Sequence, residues 1–365
     1  MTQAPLVSII VNNYNYGRYL GEAIDSALGQ TYPRLEVIVV DDGSTDNSRE
    51  IIAGYGDRII PVLKANGGQG SALNAGFAVS TGDLILFLDS DDMLLPNAIE
   101  TVVSEWKDGL SRIYFLLEVV SEEGEPLGGV FGGLKSPSPL VGAYSSGMST
   151  SGNVLSRGAL QKVMPIPERE WRIGPDYYVT ATTSLFGEAK HLALPLGKYR
   201  IHGDNNGACQ EMLYRAKRHA EVDLSLYDAL SRLTMGKIVP LEGWLGTSPQ
   251  HYVCRIKWLR ESPHDYPWQD SLPNLTFCAV KAAWHQPDRN FHQRLSYSIY
   301  ALAYGTLPRK ITRLLGKAVP MSRVVSIKEH QEENDTMARA AALSTKDRGR
   351  ELGGSSSGFS ASESV

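Results

Sequence analysis

Three carboxylates stand close together in the stretch from Leu84 to Asp92, where an apolar segment ends. Five apolar residues precede Asp89, too few for a buried helix, so the segment predicts a strand covered on both faces. Burying Asp89, Asp91 and Asp92 would be costly without a positive partner. Mg²⁺ or Mn²⁺ would suit, because both prefer oxygen ligands and share them with substrate phosphates. The alternative is an acidic turn that caps the next helix, but ligands of open α/β sheets bind at this end of a strand, which favours the metal site.

Two other polar turns follow apolar segments earlier in the chain. Residues 6–11 are followed by Asn12 to Gly17, and residues 35–40 are followed by Asp41 to Asp46. Four alternations of strand and helix precede Trp106, which predicts an α/β fold with a mostly parallel sheet flanked by helices. The polar turns all fall at carboxyl ends of strands, so we expect them to converge on one edge of the sheet.

The composition is that of an ordinary globular protein, with 42% hydrophobic and 21% charged residues and a formal net charge of −4. That balance gives no argument for a nucleic-acid partner, and we expect none. Cys209, Cys254 and Cys278 lack metal-ligand spacing, which predicts reduced thiols. The first residues leave no room for a signal peptide, and no apolar run approaches the ~20 residues of a membrane-spanning helix. We therefore expect a cytoplasmic protein.

The chain is expected to divide into an α/β domain over residues 1–208, a helical C-terminal region over 209–328 and a disordered tail over 329–365. Between Arg289 and Lys328 the sequence has eight basic residues and no acidic one. This composition predicts a basic amphipathic segment in peripheral contact with an anionic membrane, on the inner face of the cell membrane. A packed helix with solvated Lys and Arg side chains is the alternative, and it stays open.

Several linked motifs resemble family 2 glycosyltransferases with the GT-A fold, a Rossmann-like sheet that binds nucleotide-diphospho-sugars. The motifs are Val7-Ser8-Ile9-Ile10-Val11 with Asn13-Tyr14-Asn15, Val40-Asp41-Asp42-Gly43-Ser44-Thr45-Asp46, Asn66-Gly67-Gly68, Ala72, Asn74, Gly76, Gly82 and Phe87-Leu88-Asp89-Ser90-Asp91-Asp92. The resemblance covers residues 5–207, and nothing after about residue 210 contributes to it.

The resemblance implies an inverting transferase that moves a sugar from a nucleoside diphosphate to an acceptor hydroxyl. Asp42 would accept the N–H of a uracil base, Asp41 would contact the ribose, and Asp89 would lie near the ribose and a water ligand of the metal. The implied donor-binding residues are Asn13, Tyr14, Asn15, Asp41, Asp42, Asn74, Asp89 and Arg200. For Tyr14 and Asn15, turn chemistry alone is the alternative. The implied ligands of a divalent metal (Mg²⁺ or Mn²⁺) are Asp89, Asp91 and His202, and Asp91 would hold the ion against the diphosphate.

Asp176 is the residue that the resemblance implies as general base. The family places this base in a Glu-Asp pair at the start of a helix, and here Pro175-Asp176 matches that pair with Pro in place of the first acid. A helix cap is the alternative role for Asp176. In the element Tyr199-Arg200-Ile201-His202, the resemblance implies that His202 completes the metal shell or contacts the diphosphate, and that Arg200 contacts phosphate or acceptor. Ser151-Gly152-Asn153 would receive the acceptor or the donor sugar.

Other protein classes fit the first turn less well. A dinucleotide-binding oxidoreductase needs a Gly-rich fingerprint there, and a sugar nucleotidyltransferase needs a Gly-rich loop with a basic residue, whereas this chain has Asn12-Asn13-Tyr14-Asn15. A non-catalytic nucleotide-sugar-binding or scaffold protein remains as the alternative from a different class. We predict a metal-assisted hexosyltransferase that uses a UDP-sugar and acts on a cell-surface polysaccharide or a lipid-linked glycan precursor.

Overall fold

The computed structural model describes residues 4–132, 150–203, 212–285, 291–308, 312 and 325–326. The chain forms two compact units, Met1–Val324 and Val325–Val365. Of the second unit, only the short strand Val325–Ser326 is described. The predicted disordered tail and the predicted boundary at residue 208 lie outside the described residues. So does Cys209, whereas Cys254 is buried and Cys278 is half-buried, and neither forms a disulfide with a described residue.

The strands of the first unit are β1 (Val7–Asn13), β2 (Leu35–Asp41), β3 (Ile60–Leu63), β4 (Leu84–Asp89), β5 (Met93–Leu94), β6 (Leu110–Val120), β7 (Pro126–Phe131), β8 (Asn153–Ser156) and β9 (Glu188–Arg200). Its helices are α1 (Gly17–Leu28), α2 (Ser48–Gly54), α3 (Gln69–Val79), α4 (Ala98–Ser104), α5 (Arg157–Leu160), α6 (Pro175–Thr183), α7 (Met212–Leu233), α8 (Leu241–Leu245), α9 (Pro249–Glu261), α10 (Leu272–His285) and α11 (Phe291–Thr306).

The sheet runs in the order β7-β6-β8-β4-β1-β2-β3. β1 pairs in parallel with both β2 and β4, and β2 pairs in parallel with β3. β8 then runs antiparallel between β4 and β6, while β9 pairs in parallel with β6 and antiparallel with β5. The predicted fold class is therefore confirmed. The parallel part is the part with continuous apolar runs, because such strands are covered by helices on both faces.

One element differs from the sequence-based prediction, and another agrees with one of its alternatives. The Gly-, Pro- and Ser-rich residues 121–148 predict a long loop or a loose hairpin, and their described part contains β7, which forms an antiparallel hairpin with β6. The sequence predicts two short edge strands, residues 191–194 and 198–202, but residues 191–194 and 198–200 belong to one strand, β9. This strand stays paired with β6 through shifts of register, so the interruption at Pro195 and Gly197 does not end it.

Each face of the sheet has its own hydrophobic core, because side chains alternate along each strand. On β1, Ile9 packs with α1 and α4, while Ile10 faces α3. The second core also takes in residues of α6, α7 and α8, among them Trp244, which is fully buried. The helices α9, α10 and α11 pack around a smaller cluster of their own. None of the described helices combines the length and apolarity needed to cross a bilayer.

Candidate active site

The carboxyl ends of β1, β2 and β4 lie side by side, as the polar turns predicted. Asn12 stands opposite Asp89, and its Nδ2 donates to Asp89 Oδ1 at 2.9 Å. Asn13 stands opposite Asp41, and its Nδ2 donates to Asp41 Oδ1 at 3.2 Å. The two amides of β1 therefore each hold one acid of a neighbouring strand.

Asp41 is a buried acid that fastens the loop after β2. It accepts from Arg49 Nε at 2.9 Å and from the backbone N–H of Ser44 at 3.1 Å. Burial alone would raise the pKa of Asp41, but the hydrogen bonds from Ser44, Arg49 and Asn13 outweigh it and lower that pKa below its ordinary value. Asp41 therefore stays ionised and keeps this loop in place.

Asp42 fastens the loop between β3 and α3, whereas Asp41 fastens the loop after β2. Its carboxylate accepts from Lys64 Nζ at 2.5 Å, from Gly67 N at 2.9 Å and from Gly68 N at 2.7 Å. These bonds occupy three of the about four lone-pair sites of a carboxylate. A base N–H would have to share Asp42 with this loop, so recognition of uracil by Asp42 stays a prediction.

Tyr14 and Asn15 form the turn that leaves β1. Asn15 has a left-handed backbone with φ of 58°, donates its N–H to Ser44 Oγ at 2.9 Å and accepts from Thr45 N at 2.7 Å. The Tyr14 side chain is 46% exposed. Asn15 thus joins the turns after β1 and β2, while the exposed Tyr14 ring is accessible to a ligand; nucleotide binding by either residue stays a prediction.

The three acids after β4 concentrate negative charge. Burial and then the charge of Asp91 raise the pKa of Asp89 to about 7, with a smaller contribution from Asp176. The same two causes raise the pKa of Asp92 well above its ordinary value, although Asp92 accepts from Ser151 Oγ at 2.6 Å and from Arg200 N at 3.2 Å. A bound cation would favour the ionised forms of these acids.

His202 lies against Asp91, with 3.1 Å between its Nε2 and Asp91 Oδ2. Its imidazole is buried and packs against the rings of Tyr16 and Tyr19, with centroid distances of 5.4 and 4.8 Å. The structure therefore brings together two of the predicted metal ligands, which are 111 residues apart in the sequence.

A carboxylate beside an imidazole fits a divalent ion. Among the residues that the structure describes, no three Asp, Glu, His or Cys side chains form a metal-ligand group. Mg²⁺, however, is usually held by one or two carboxylates, with water and substrate phosphates completing the shell. Asp91 and His202 therefore fit an ion that binds together with a diphosphate. Asp89 accepts hydrogen bonds from the amides of Asn12 and Gln69, and metal binding by Asp89 stays a prediction.

Arg200 is a buried brace behind this site. Its guanidinium donates to Asp91 O at 3.1 Å, to Glu22 Oε2 at 2.6 Å and to Glu122 O at 2.5 Å. These bonds position the backbone of Asp91 and the hairpin after β6. Contact between Arg200 and a phosphate or acceptor stays a prediction.

Asp176 lies in the first turn of α6, as predicted. Gly174, with φ of 69°, precedes the helix, and Pro175 occupies its first turn. The charge of Asp176 contributes to the raised pKa of Asp89, which places the two carboxylates within electrostatic reach. Arg218 of α7 donates to Ile173 O, so a C-terminal helix fixes the backbone just before α6.

Gln69 connects these two acids and was missed at the sequence level. Its Nε2 donates to Asp89 Oδ1 at 3.0 Å, and its Oε1 accepts from the backbone N–H of Gly174 at 3.3 Å. One amide therefore joins the carboxylate at the end of β4 to the residue that directly precedes α6. In the sequence, Gln69 follows Gly67-Gly68 at the start of a helix. That position does not predict which residues the amide would contact.

Asn74 and Ser151 complete the described site residues. Asn74 donates to Ile166 O at 2.9 Å and accepts from Ile166 N at 2.7 Å, so it fastens that segment to α3. Donor binding by Asn74 stays a prediction. Ser151 Oγ bonds both Asp89 N and Asp92, and Asn153 accepts from Arg112 at 3.2 Å. Ser151, which lies just before β8, thus supports Asp89 and Asp92; contact of residues 151–153 with an acceptor or donor sugar stays a prediction.

Comparison with known proteins gives matches over most of the described chain. Residues 8–125 match the profile of glycosyl transferase family 2. An uncharacterized glycosyltransferase from Nostoc sp. (strain PCC 7120) is 36% identical over 277 residues, which cover 70% of this chain and 85% of the relative. The hyaluronan synthase of Pasteurella multocida is 30% identical over 236 residues, which cover 62% of this chain but 24% of the synthase.

Among solved structures, TarS 1–349 of S. aureus in complex with UDP-GlcNAc is similar with a TM-score of 0.49 and 16% sequence identity. The match covers 87% of this chain and 93% of TarS 1–349.

Proposed function

The chain belongs to glycosyltransferase family 2, and on that premise we propose that it transfers a sugar, with inversion, from a nucleoside diphosphate donor to an acceptor hydroxyl. A UDP-sugar is the favoured donor, because an acid follows the second strand where a uracil N–H would need an acceptor. The favoured acceptor is a cell-surface polysaccharide or a lipid-linked glycan precursor. The similar hyaluronan synthase supports this class, since its product is a polysaccharide.

The observation that carries the proposal is the amide bridge of Gln69 between Asp89 and the start of α6. It ties the donor side of the site to the helix that bears Asp176. A carboxylate within hydrogen-bond reach of the acceptor hydroxyl suffices as general base. Asp176 takes the hydroxyl proton as the acceptor oxygen bonds to the anomeric carbon and the bond to the diphosphate breaks. One such displacement inverts the anomeric configuration.

Asp91 and His202 would hold the divalent ion, and Asp89 would orient the ribose and a water ligand. When bound, the ion supplies Lewis-acid neutralisation of the charge on the leaving diphosphate. Arg200 fixes the backbone of Asp91, and Ser151 fixes that of Asp89. The chain's own residues thus preset the position of the leaving group before the acceptor arrives.

Replacing the proposed base tests the mechanism. We expect Asp176→Asn to lower kcat by about 10²–10⁴, the usual loss for a positioned general base, with little change in donor affinity. Glu242→Gln is the matched control, because Glu242 also lies in the first turn of a helix but in the C-terminal region. Release of nucleoside diphosphate from a panel of nucleotide sugars gives the rates. Wild-type transfer by Asp176→Asn would remove that residue from the role of base.

The same assay tests the metal and the binding-protein alternative. With Mn²⁺ or Mg²⁺ present we expect release from one donor, and with EDTA or in Asp91→Asn we expect release to be lost. Binding of every donor without release, with candidate acceptors present, would instead support a non-catalytic nucleotide-sugar-binding protein.

A further inference from the structure

The outer sides of α10 and α11 carry large apolar side chains that face solvent. The exposed fractions are 66% for Phe277 and 42% for Trp284 on α10, and 60% for Phe291, 39% for Leu295, 58% for Ile299 and 48% for Leu302 on α11. Scattered exposed apolar residues are normal on a protein surface, but a contiguous set marks an interaction site.

Helical spacing makes this set contiguous. Phe277 and Trp284 are seven residues apart, and Leu295, Ile299 and Leu302 follow at intervals of four and three, so each helix carries one stripe. The rings of Trp284 and Phe291 meet with centroids 5.8 Å apart, which joins the two stripes. We refer to these six residues as the outer stripe.

The inner sides of the same helices are already packed. Leu275 and Ala279 of α10 and Ala301 of α11 form a buried cluster with Val253 and Ile256 of α9. The helices therefore do not need the outer stripe to fold into the unit. Because the inner side of this helix pair is already packed, the apolar residues on its outer side indicate a second apolar partner that would cover that side.

The charges on these helices indicate the chemistry of the partner. Neither α10 nor α11 contains an acidic residue. Lys281 is exposed and lies four residues after Phe277 and three before Trp284, within the stripe of α10. Arg294 lies three residues after Phe291 on α11. The sequence continues this bias, since eight basic residues and no acidic one occur between Arg289 and Lys328.

We propose that the outer stripe docks on an anionic lipid bilayer, with α10 and α11 lying in the plane of the interface. Apolar and aromatic side chains would enter the headgroup boundary, while Lys281 and Arg294 meet anionic headgroups. A two-fold dimer through the same face would bring the basic residues of both copies together, which opposes association. Anionic lipid is therefore the occupant that the charges favour. This docking does not rest on the proposed function, because the outer stripe would bind lipid whether or not the protein transfers a sugar.

Vesicle co-sedimentation of the full chain tests the docking. We expect the protein to sediment with vesicles of equal phosphatidylcholine and phosphatidylglycerol, to sediment weakly with phosphatidylcholine alone, and to be released by high salt. Ile299→Glu should weaken binding to the anionic vesicles about tenfold, because it removes an inserted side chain and adds repulsion. Leu194→Glu is the matched control, since Leu194 is 52% exposed on β9, outside the stripe, and should bind as the wild type does.

Three outcomes would overturn the proposal. The first is the absence of binding to anionic vesicles, and the second is equal binding by wild type and Ile299→Glu. The third is a dimer, seen by light scattering, that Ile299→Glu dissociates, because a second copy would then be the occupant. Thermal unfolding of both variants checks that they fold. Release of nucleoside diphosphate with a water-soluble acceptor should be the same in wild type and Ile299→Glu, so a failure of transfer is separable from a failure of docking.

Discussion

Buried acids in the same site have opposite electrostatic surroundings. Burial acts to raise the pKa of all of them, but at Asp41 the hydrogen bonds from Ser44, Arg49 and Asn13 prevail and the pKa falls. At Asp89 and Asp92, burial and the charge of Asp91 prevail and the pKa rises. Asp41 is therefore a structural anion that is satisfied by its own chain. The acids after β4 hold charge that an incoming cation would stabilise.

Gln69 gives a prediction at the scale of one side chain. Gln69→Leu keeps the approximate size but removes both ends of the bridge between Asp89 and Gly174. We expect kcat to fall about ten- to a hundredfold, because small misplacements of a reacting group have effects of this order. The KM for the donor should change much less. Steady-state kinetics, together with a urea unfolding curve, measures both effects.

Gln30→Leu is the matched control for that variant. The Gln30 amide also bridges two polar groups, donating to Leu95 O at 2.9 Å and accepting from Ile99 N at 3.0 Å, but it packs beside α4. Each variant should lose about 1–3 kcal/mol of unfolding free energy, because buried backbone groups lose a partner. Only Gln69→Leu should lose kcat. Equal kinetic losses in the two variants would show that Gln69 acts on stability alone.

At the scale of elements, Glu36 ties the first two strands to the turn between α3 and β4. Its carboxylate accepts from Ser8 Oγ at 2.5 Å, from Thr81 N at 2.5 Å and from Gly82 N at 3.1 Å. Burial acts to raise the pKa of Glu36, but these hydrogen bonds outweigh it and lower that pKa below its ordinary value. Three elements thus depend on one ionised group.

This arrangement predicts how stability depends on pH. A carboxyl group with a lowered pKa in the folded state stabilises the fold above its unfolded pKa, and that stabilisation is lost as pH falls through the folded pKa. Glu36→Gln should therefore be less stable than wild type at neutral pH, and the difference should shrink towards about pH 3. Urea unfolding across this range measures it. A constant difference at every pH would show that the charge of Glu36 does not contribute.

The elements that the sequence predicts well are those whose burial leaves a local pattern. β1, β2 and β4 are continuous apolar runs, so each was predicted close to its observed position. β9 was split because Pro195 and Gly197 are poor strand residues, yet its pairing with β6 overrides that propensity. The contact between Gln69 and Gly174 spans 105 residues. Neither periodicity nor a short motif carries such information.

At the scale of the whole molecule, the C-terminal helices share a core with the sheet. Leu226 and Leu230 of α7 and Trp244 of α8 pack in the same cluster as Phe87 of β4 and Trp171. Nothing in the sequence motifs links these helices to the sheet, because the resemblance to the family ends before them. The helices up to α8 therefore complete the fold of the α/β part.

Replacing two tryptophans, one at a time, tests whether the helices share this core or are only loosely attached. Trp244→Ala should lower the unfolding free energy by about 3–5 kcal/mol, because it leaves a cavity in the core beneath the sheet. The sheet and the helices should still unfold in one transition. Trp284→Ala is the control: that side chain is 42% exposed, so its loss should cost far less. Circular dichroism during thermal unfolding measures both. A sheet that kept its wild-type transition in Trp244→Ala would contradict the shared core.

The hydrogen bond from Arg218 to Ile173 O has a consequence for how this enzyme diverges from its relatives. Most of the residues that are proposed to bind the donor lie within residues 8–125, which match the family profile; Arg200 and His202 are the exceptions. The helix that bears Asp176 rests on α7, outside that match. If Asp176 is the general base, changes in the C-terminal helices would shift the proposed acceptor side of the site more than the proposed donor side. Descendants of one ancestral gene would in this way acquire new acceptors while they keep the old donor.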